Sequence, residues 1–351
     1  MPRTASVKTD QVAGRLGGLR RMMAENQVAA ALIISAANRR YFSGFRAADG
    51  QINESSGALL ITRRAQYLLT DSRYAEAARR EAPLFQVLTC RRGPEAELAS
   101  LPALKRAGSL CFEAEFLTVG ALQRLRRALP EIELAPLIFD PDALRARKNP
   151  EEIRLVARAL AITEAAVGAL FQKMVPGMTE REAAFFLEDE FRRLGAEGPS
   201  FETIVAAGPN AALPHASPGP RKFREGELVV VDCGARYQGY CADLTRTRVI
   251  GRARAWQKEI YAIVRQAQLL AVKAIAPGTP AGEVDRLARD YIGRHGYGDC
   301  FGHSLGHGVG LAIHEAPRLS PRNPAPLAPG QIVTVEPGIY LPGRGGVRLE
   351  Q

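Results

Sequence analysis

The sequence predicts an α+β protein with two domains, an α/β domain over residues 1–146 and a second domain over residues 147–351 built from two similar αβ halves. The length of 351 residues exceeds that of a typical single domain. Helical and apolar strand-like segments alternate through the first half, which is typical of an α/β sandwich. In the second half one order of elements occurs twice.

Composition excludes several function classes. The net charge is +10, but the basic residues are spread among acidic ones, which indicates a solvated surface rather than a nucleic-acid interface. The five cysteines are odd in number and form no Cys-x-x-Cys, which indicates reduced thiols. The N-terminal sequence lacks a signal-peptide core and no stretch approaches a membrane span. We therefore expect a cytoplasmic protein without a membrane or nucleic-acid partner.

The first half consists of a helix over residues 10–27 followed by shorter elements. The predicted elements are strand Ala29–Ile34, hairpin strands Gly57–Thr62 and Gln66–Thr70, helix Tyr74–Glu81, strand Phe85–Cys90, helix Glu95–Leu104, strand Ser109–Phe112, helix Val119–Leu129 and strand Leu134–Phe139. This half contains no histidine, and we identify no catalytic constellation in it.

The second half opens with a long helix that Asn149 caps and that runs to about Met174. A Pro-Gly turn, a helix, a Gly-rich turn and a phenylalanine then follow, ending at Phe201. The same order recurs about one hundred residues later and ends at Phe301. We therefore expect two similar halves with a ligand cleft between them.

The segment 228–247 contains two apolar runs separated by a Gly-rich turn, which predicts a β-hairpin. The first run ends in Asp232 and the second approaches Asp243. In a hairpin these carboxylates face each other across the ladder. Two buried acids in contact require a positive charge between them, and a divalent metal is the simplest candidate. The alternative is an exposed hairpin with two solvated aspartates.

The histidines are concentrated in one glycine-rich segment. Of the five in the chain, His303, His307 and His314 are interleaved with glycines, which bring the backbone close to a neighbouring element. His215 lies in a Pro-flanked turn, and His295 reads as a surface residue near a helix end. A lone histidine is more often structural than functional, but three within so short a segment favour a functional site.

Two further acids end apolar runs. Glu336 follows Gln331–Val335, and Glu350 follows Gly345–Leu349. A glutamate in such a run is costly unless it is paired or bound to a metal. Arg348 could be the partner, but we interpret it as a support for a ligand.

Together these runs provide four carboxylates and one imidazole: Asp232, Asp243, His307, Glu336 and Glu350. Four negative charges balance two divalent cations, and oxygen-rich ligation suits Mn²⁺, Co²⁺ or Zn²⁺. Two such ions roughly 3.5–4 Å apart activate water near neutral pH. The three remaining histidines of the two segments could donate hydrogen bonds to a substrate. The residues thus indicate metal-assisted hydrolysis without naming the bond cleaved.

These motifs resemble those of the pita-bread metallopeptidases, and more narrowly the Xaa-Pro peptidases aminopeptidase P and prolidase. The resemblance rests on the two spaced aspartates, the His-Ser-Leu-Gly-His-Gly-Val-Gly run, Glu-Pro-Gly-Ile-Tyr and Gly-Val-Arg-Leu-Glu. The first half resembles the creatinase-type N-terminal domain, in Tyr41-Phe-Ser-Gly-Phe and Leu69-Thr-Asp-Ser-Arg-Tyr. Together these resemblances imply a creatinase-type α/β domain followed by a pita-bread catalytic domain.

The resemblance also implies roles for individual residues. It implies that the five residues bind two metal ions, usually Mn²⁺ or Co²⁺, and that Asp243 and Glu350 bridge them. Glu336 would take the proton from the attacking water. Substrate binding and stabilisation of the tetrahedral intermediate would come from His215, His303 and His314. Supporting contacts near the first aspartate would come from Arg348 and Tyr340.

The implied activity is cleavage of Xaa-Pro bonds in short peptides with proline at the second position, by a homodimer. Aminopeptidase P and prolidase stay equally open, because loops that close the cleft decide between them. The alternatives are a methionine-aminopeptidase-like exopeptidase, creatinase, and a non-catalytic pita-bread binding protein. Family members continue past the final glutamate, so we expect this sequence, which stops at Gln351, to be truncated.

Overall fold

The computed structural model describes residues 3–49 and 55–351. The chain divides into two compact units, Met1–Leu144 and Arg145–Gln351. In the described ranges, no helix is long and apolar enough to cross a membrane.

The described part of the first unit is a mixed six-stranded sheet with six helices. The helices are α1 (Arg3–Glu25), α2 (Ala36–Ser43), α3 (Ala75–Glu81), α4 (Pro94–Ser100), α5 (Pro102–Ala107) and α6 (Val119–Ala128). The strands are β1 (Ala30–Ile33), β2 (Ala58–Thr62), β3 (Gln66–Thr70), β4 (Gln86–Thr89), β5 (Ser109–Phe112) and β6 (Glu133–Pro136). The strand order is β4-β3-β2-β1-β5-β6. The pairs β1–β2 and β2–β3 are antiparallel, and the other pairs are parallel.

Several predicted elements of this unit differ in extent: the first helix begins at Arg3 and the last strand ends at Pro136, while helix α2 was not predicted. The helix expected over Glu95–Leu104 is two helices, α4 and α5, separated at Leu101. Leu101 has an extended backbone (φ −78°, ψ 116°) because the ring of Pro102 disfavours the helical conformation at the preceding residue. Pro102 instead starts α5, where its missing N–H costs nothing.

The second unit contains two helix pairs. A short helix, α7 (Ala143–Ala146), includes the division between the units, and the four long helices are α8 (Pro150–Lys173), α9 (Glu180–Arg193), α10 (Ala255–Ala274) and α11 (Ala281–Arg294). Asn149 and Glu152 form a capping box at the start of α8, and Thr179 and Glu182 form one at the start of α9. Both helices of the first pair therefore begin where the sequence places a cap.

Ten short strands complete this unit: β7 (Gly198–Pro199), β8 (Ile204–Ala207), β9 (Leu228–Cys233), β10 (Ala235–Tyr237), β11 (Tyr240–Cys241), β12 (Leu244–Val249), β13 (Gly306–Gly308), β14 (Glu315–Leu319), β15 (Gly338–Leu341) and β16 (Gly345–Arg348). Helices α8 and α9 share one buried core with β8 and β9. Helices α10 and α11 share a second core with β15 and β16. The predicted repeat thus corresponds to two cores, each covered by a helix pair.

The predicted hairpin over 228–247 has a different register. Strand β9 pairs with β12 in antiparallel fashion, but Asp232 lies opposite Thr245 rather than Asp243. The connection between them forms β10 and β11, which belong to another sheet with β7. Asp243 therefore lies just before β12, because the polar connection has its own strand partners.

The run Gln331–Tyr340 is also less regular than predicted. Only Gly338–Leu341 forms a strand, and Glu336 lies before it. The preceding residues make isolated bridges, among them Gly308 to Val333. Pro337 has no N–H to donate to a ladder, which explains why regular pairing starts only after it.

Candidate metal centre

Three acids meet in the second unit. Oxygen atoms of Asp232, Asp243 and Glu350 all lie within 4.8 Å of one another. Asp232 is in β9, Asp243 immediately precedes β12, and Glu350 follows β16. Packing of β16 against β9 and β12 brings the third acid to the first two. Three neighbouring carboxylates repel one another unless protons or cations lie between them.

Two carboxylate oxygens of this cluster are orphaned. Asp232 Oδ1 and Glu350 Oε1 are buried without a hydrogen-bond partner among the described residues. The other oxygen of each acid is occupied, since Asp232 Oδ2 accepts from Arg348 Nη2 at 2.5 Å and Glu350 Oε2 accepts from Thr245 Oγ1 at 3.0 Å. Buried polar atoms are rarely left unpaired, so these two oxygens are positioned for a missing ligand.

His307 brings a nitrogen to the same place. Its Nδ1 lies 3.0 Å from the Gly308 carbonyl oxygen, which can only accept, so the ring proton is on Nδ1. The unprotonated Nε2 then faces Asp243 Oδ2 at 3.5 Å and Glu336 Oε1 at 3.4 Å. A lone pair directed at two carboxylate oxygens is repulsive unless a cation lies between them. The donor set of Asp232, Asp243, His307, Glu336 and Glu350 therefore fits divalent metal ions.

The pKa values of the acids agree with this assignment. Burial and the neighbouring carboxylates raise the pKa of Asp243 and of Glu350 well above the ordinary range. Burial, with a contribution from Asp232, raises the pKa of Glu336 to about 7. Burial also lowers the pKa of His307 to about 4, so this imidazole is neutral, as a metal ligand must be. A bound dication would reverse the carboxyl shifts, because it favours the charged form.

The glycines beside His307 allow the backbones to approach closely. A Cβ on Gly306 would lie 2.0 Å from the carbonyl oxygen of Thr334, and a Cβ on Gly308 would lie 2.3 Å from that of Ala316. Any side chain at either position would push β13 away from its neighbours. The Gly-His-Gly sequence thus holds the imidazole between two other segments.

Arg348 links the acids to the cavity wall. Its guanidinium donates to Asp232, to Tyr340 Oη at 2.9 Å and, from Nε, to Thr245 Oγ1 at 3.0 Å. Burial opposes its charge, but Asp232 and Tyr340 raise the pKa of Arg348 above its ordinary value. Thr245 connects Arg348 to Glu350, because its hydroxyl accepts a hydrogen bond from Arg348 and donates one to Glu350. The arginine therefore orients Asp232 directly and Glu350 through Thr245.

His303 is fully engaged by the protein. Nδ1 lies 2.8 Å from the Ser304 carbonyl oxygen and so donates to it. Nε2 lies 2.9 Å from Tyr340 Oη, which accepts from Arg348 and gives its own proton to this nitrogen. Burial lowers the pKa of His303 to about 4, which keeps the ring neutral. No ring N–H of His303 is left for a substrate in this arrangement.

A cavity of about 470 Å³ lies over the acid cluster. Its lining includes Asp232, Asp243, Phe201, Ile204, Pro214, His215, His303, His307, Ile313, His314, Arg318, Glu336 and Arg348. The ring of His314 meets that of His307 edge to face, with centroids 4.4 Å apart. His215 and His314 are exposed and line this cavity. Seven of the eight predicted ligand and histidine positions line it, and the eighth, Glu350, belongs to the acid cluster.

Comparison with known proteins identifies this arrangement. Residues 154–351 match the family described as Metallopeptidase family M24, and residues 15–146 match the Creatinase/Prolidase N-terminal domain. The chain belongs to metallopeptidase family M24. The predicted fold, a creatinase-type N-terminal domain followed by an M24 pita-bread domain, is confirmed. The predicted family and enzyme class are confirmed as well, and the M24 family implies divalent metal ions.

Relatives of this M24 peptidase resemble it over both domains. The Xaa-Pro dipeptidase of Pyrococcus horikoshii is 38% identical over 328 residues, which are 93% of this chain and 90% of that protein. The solved structure of a Xaa-Pro dipeptidase from Bacillus anthracis has a TM-score of 0.90 at 38% identity, covering 97% of this chain and 93% of that one. The X-Pro aminopeptidase from Thermotoga maritima has a TM-score of 0.82 at 36% identity, covering 92% and 91%.

Sequence reasoning missed two residues of this M24 site, Thr245 and Arg318. Thr245 lies opposite Asp232 in the ladder, and only the observed register reveals the contact. Arg318 lies opposite His307 in the pair β13–β14 and lines the cavity. No carboxylate among the described residues forms a salt bridge with Arg318. Its spacing from His314 would have been a weak signal, since an exposed arginine is ordinary.

Proposed function

We propose that this M24 peptidase is a Xaa-Pro dipeptidase that depends on two divalent metal ions, Mn²⁺ in the first place and Co²⁺ or Zn²⁺ as alternatives. One observation carries the choice of a dipeptidase: Asp232 and Asp243 of the acid cluster line the same cavity as Arg318, whose guanidinium forms no salt bridge within the described residues. The relatives named Xaa-Pro dipeptidase support the substrate class. The X-Pro aminopeptidase similarity supports the same bond but a longer peptide.

The ions would be held by the donor set that has orphaned oxygens and a free imidazole nitrogen: Asp232, Asp243, His307, Glu336 and Glu350. Family resemblance assigns the two bridging positions to Asp243 and Glu350. When bound, the ions would lower the pKa of a water molecule and polarise the scissile carbonyl group. Arg348 keeps Asp232 oriented, and Thr245 keeps Glu350 oriented, so that one oxygen of each acid is free.

Glu336 is the proposed general base. It lines the cavity, and Thr334 Oγ1 lies 3.4 Å from its Oε1. A carboxylate in this position can take a proton from the attacking water and return it to the leaving nitrogen. The same residue would then act twice in one turnover, first as base and then as acid.

His215 and His314 are the proposed donors to the substrate. Both line the cavity and neither makes a side-chain hydrogen bond within the described residues. The hydrogen bond from a ring N–H to the scissile carbonyl oxygen becomes stronger as negative charge develops on that oxygen. His303 cannot take this role while its nitrogens bind Ser304 and Tyr340, so we propose that its ring forms a wall of the cavity.

The cavity wall favours proline on the leaving side. Phe201, Ile204 and Ile313 provide apolar surface beside the ring of His303. The imide nitrogen of proline carries no N–H, so it needs no acceptor there. An Ala-Ala bond would bury an amide N–H, and an unsatisfied buried donor costs about 1–3 kcal/mol.

Arg318 supplies the argument for a dipeptide. The proline of a dipeptide ends in a carboxylate, one residue beyond the scissile bond. A guanidinium binds a carboxylate with two parallel hydrogen bonds and a full charge. In a longer peptide an amide occupies this position, and it can form neither the paired hydrogen bonds nor the ion pair with Arg318.

Steady-state kinetics on Ala-Pro, Ala-Ala and Ala-Pro-Ala with Mn²⁺ supplied test the proposal, with chelator-treated protein as the control. We expect kcat/KM for Ala-Pro to exceed that for Ala-Ala by about tenfold to hundredfold. Preference for Ala-Pro-Ala would instead assign an aminopeptidase P activity. Preference for a methionyl peptide without proline would favour the methionine-aminopeptidase alternative, and no hydrolysis with full metal content would favour the binding protein.

Elemental analysis of the protein as purified would identify the metal. Sedimentation analysis would test the homodimer, which stays a prediction, as does the cytoplasmic location.

A further inference from the structure

Glu180 is a buried carboxylate that binds only backbone and amide donors. It is 1% exposed at the first position of α9. Its Oε1 accepts from Ala207 N and from Asn210 Nδ2, both at 2.9 Å, and its Oε2 accepts from Gly219 N at 3.1 Å. A carboxylate is the side chain that can accept at both oxygens, and the start of a helix favours its negative charge.

These donors lie at the two ends of one loop. Ala207 ends β8, and Gly219 precedes the segment that returns to β9. The backbone of the helix reinforces the second end, because Arg181 N donates to the Gly219 carbonyl at 3.1 Å. One side chain on the rigid frame of α9 therefore closes the loop over residues 208–218.

This loop forms one wall of the cavity. Four consecutive residues, Pro214 to Ser217, line it, and His215 is among them. Between the two ends, Gly208–Ala212 forms a 3-10 helix that packs against β16. Leu213 N bonds to Asn210 O at 2.9 Å, and Arg348 Nη1 donates to the Pro214 carbonyl at 3.2 Å. The position of His215 thus depends on these contacts and on how the two ends of the loop are held.

We propose that Glu180 is a positioning residue for His215 and fixes the loop that brings this imidazole to the substrate. This inference rests on the proposed function, in which His215 binds the substrate. Glu180 itself touches neither the acid cluster nor the cavity, so its effect on turnover passes through the loop. A displacement of about 1 Å at a substrate-binding group can cost about a hundredfold in rate.

The kinetic test compares Glu180→Gln with Glu182→Gln in the metal-loaded protein. Both changes replace a glutamate of α9 by its amide, but Glu182 only caps the helix through Thr179. We expect Glu180→Gln to lower kcat for Ala-Pro by about tenfold to hundredfold with unchanged metal content, and Glu182→Gln to leave it near the wild-type value. His215→Ala should lower kcat as well. The two changes should not add in the double variant, because both remove one interaction.

Full additivity of Glu180→Gln and His215→Ala, or equal activity of the two glutamine variants, would overturn the proposal. Hydrogen exchange of the amides over residues 208–218 gives a readout independent of catalysis, and it should be faster in Glu180→Gln than in Glu182→Gln. Asn210→Asp, which places a second carboxylate against Oε1, should release the same amides. Unchanged exchange in both variants would overturn the proposal about Glu180, whatever the activity of the wild type. Failure of the wild type to cleave Xaa-Pro bonds would by itself refute only the proposed function.

Discussion

Arg348 Nη2 and Asp232 Oδ2 form a buried ion pair at 2.5 Å, and the second oxygen of Asp232 is left without a partner. The pair holds the carboxylate in one orientation. With Oδ2 of Asp232 bound to the arginine, the carboxylate is already oriented to present Oδ1 to a metal ion. In the proposed metal centre we therefore expect the arginine to affect metal affinity, and we expect bound ions to neutralise the remaining acids.

We predict that Asp243→Asn abolishes hydrolysis and lowers metal content. Asp243 lies between the other acids and His307, and its loss removes a negative charge where two cations are to be balanced. Elemental analysis and activity on Ala-Pro check the prediction. Asp189→Asn, at a side chain that is 85% exposed on α9, is the matched control. Full activity with normal metal content in Asp243→Asn would refute the metal-centre assignment.

We predict that Thr245→Val weakens metal binding by about tenfold to hundredfold. Valine keeps the shape of the side chain but leaves Arg348 Nε without its acceptor and Glu350 Oε2 without its donor. Competition with a chelator measures the affinity. Thr247→Val is the control, because Thr247 Oγ1 bonds only the backbone of Arg348. Equal metal affinity in the two variants would show that the hydroxyl of Thr245 does not orient the ligand.

We predict that Arg318→Met raises KM for Ala-Pro while leaving hydrolysis of Ala-Pro amide nearly unchanged. Methionine keeps the length of the side chain without its charge. A charge-assisted pair contributes about 1.5–3 kcal/mol, so a tenfold or larger rise is expected for the free acid. Arg322→Met, at an exposed arginine nearby, should leave both substrates unaffected. The same KM increase for the acid and the amide would argue against carboxylate binding.

We predict that His303 makes a contribution to the stability of the metal-free protein that is lost as the pH falls from about 6.5 towards 4, whereas the raised pKa values of Asp243, Glu336 and Glu350 act in the opposite direction. Burial lowers the pKa of His303 from 6.5 to about 4, so between these values the unfolded state binds more protons. Its stabilisation is complete above the unfolded pKa and is lost as the pH falls. One such residue contributes at most about 1.4 kcal/mol per pH unit.

Denaturant titrations of the free energy of unfolding at several pH values measure this slope. His303→Gln should reduce it, because glutamine can donate to Ser304 and accept from Tyr340 without titrating. His295→Gln, which removes an exposed histidine of the same chain, should leave it as it is. Identical slopes in both variants would mean that His303 is charged at the lower pH in the folded protein.

The chemistry of the site was predictable from the sequence because each acid ends an apolar run. A carboxylate after Leu228–Val231 or before a Pro-Gly turn is costly unless it binds something, and this local cost is visible without coordinates. The register was not predictable. The connection after Cys233 pairs with β7, a strand far away in sequence, and this pairing shifts Asp243 away from Asp232 in the ladder.

The tautomers of the histidines and the hydrogen-bond partners of the side chains could not be predicted from the sequence either. His303 looked equivalent to His314, yet only His303 has Ser304 and Tyr340 at its two nitrogens. Arg318 gave only a weak signal and Glu180 gave none, because the significance of each lies in its surroundings. Arg318 lines an open cavity, and Glu180 accepts from three convergent donors.

The two sides of the acid cluster come from distant parts of the chain, and Thr245 and Glu350, whose side chains touch, are 105 positions apart. During synthesis, Asp232 and Asp243 are therefore incorporated long before Glu336 and Glu350, which complete the proposed centre. We therefore expect metal loading to follow folding, because the ligands come together only in the folded protein. The ions available to the folded enzyme, rather than those available during synthesis, would then decide which metal it carries.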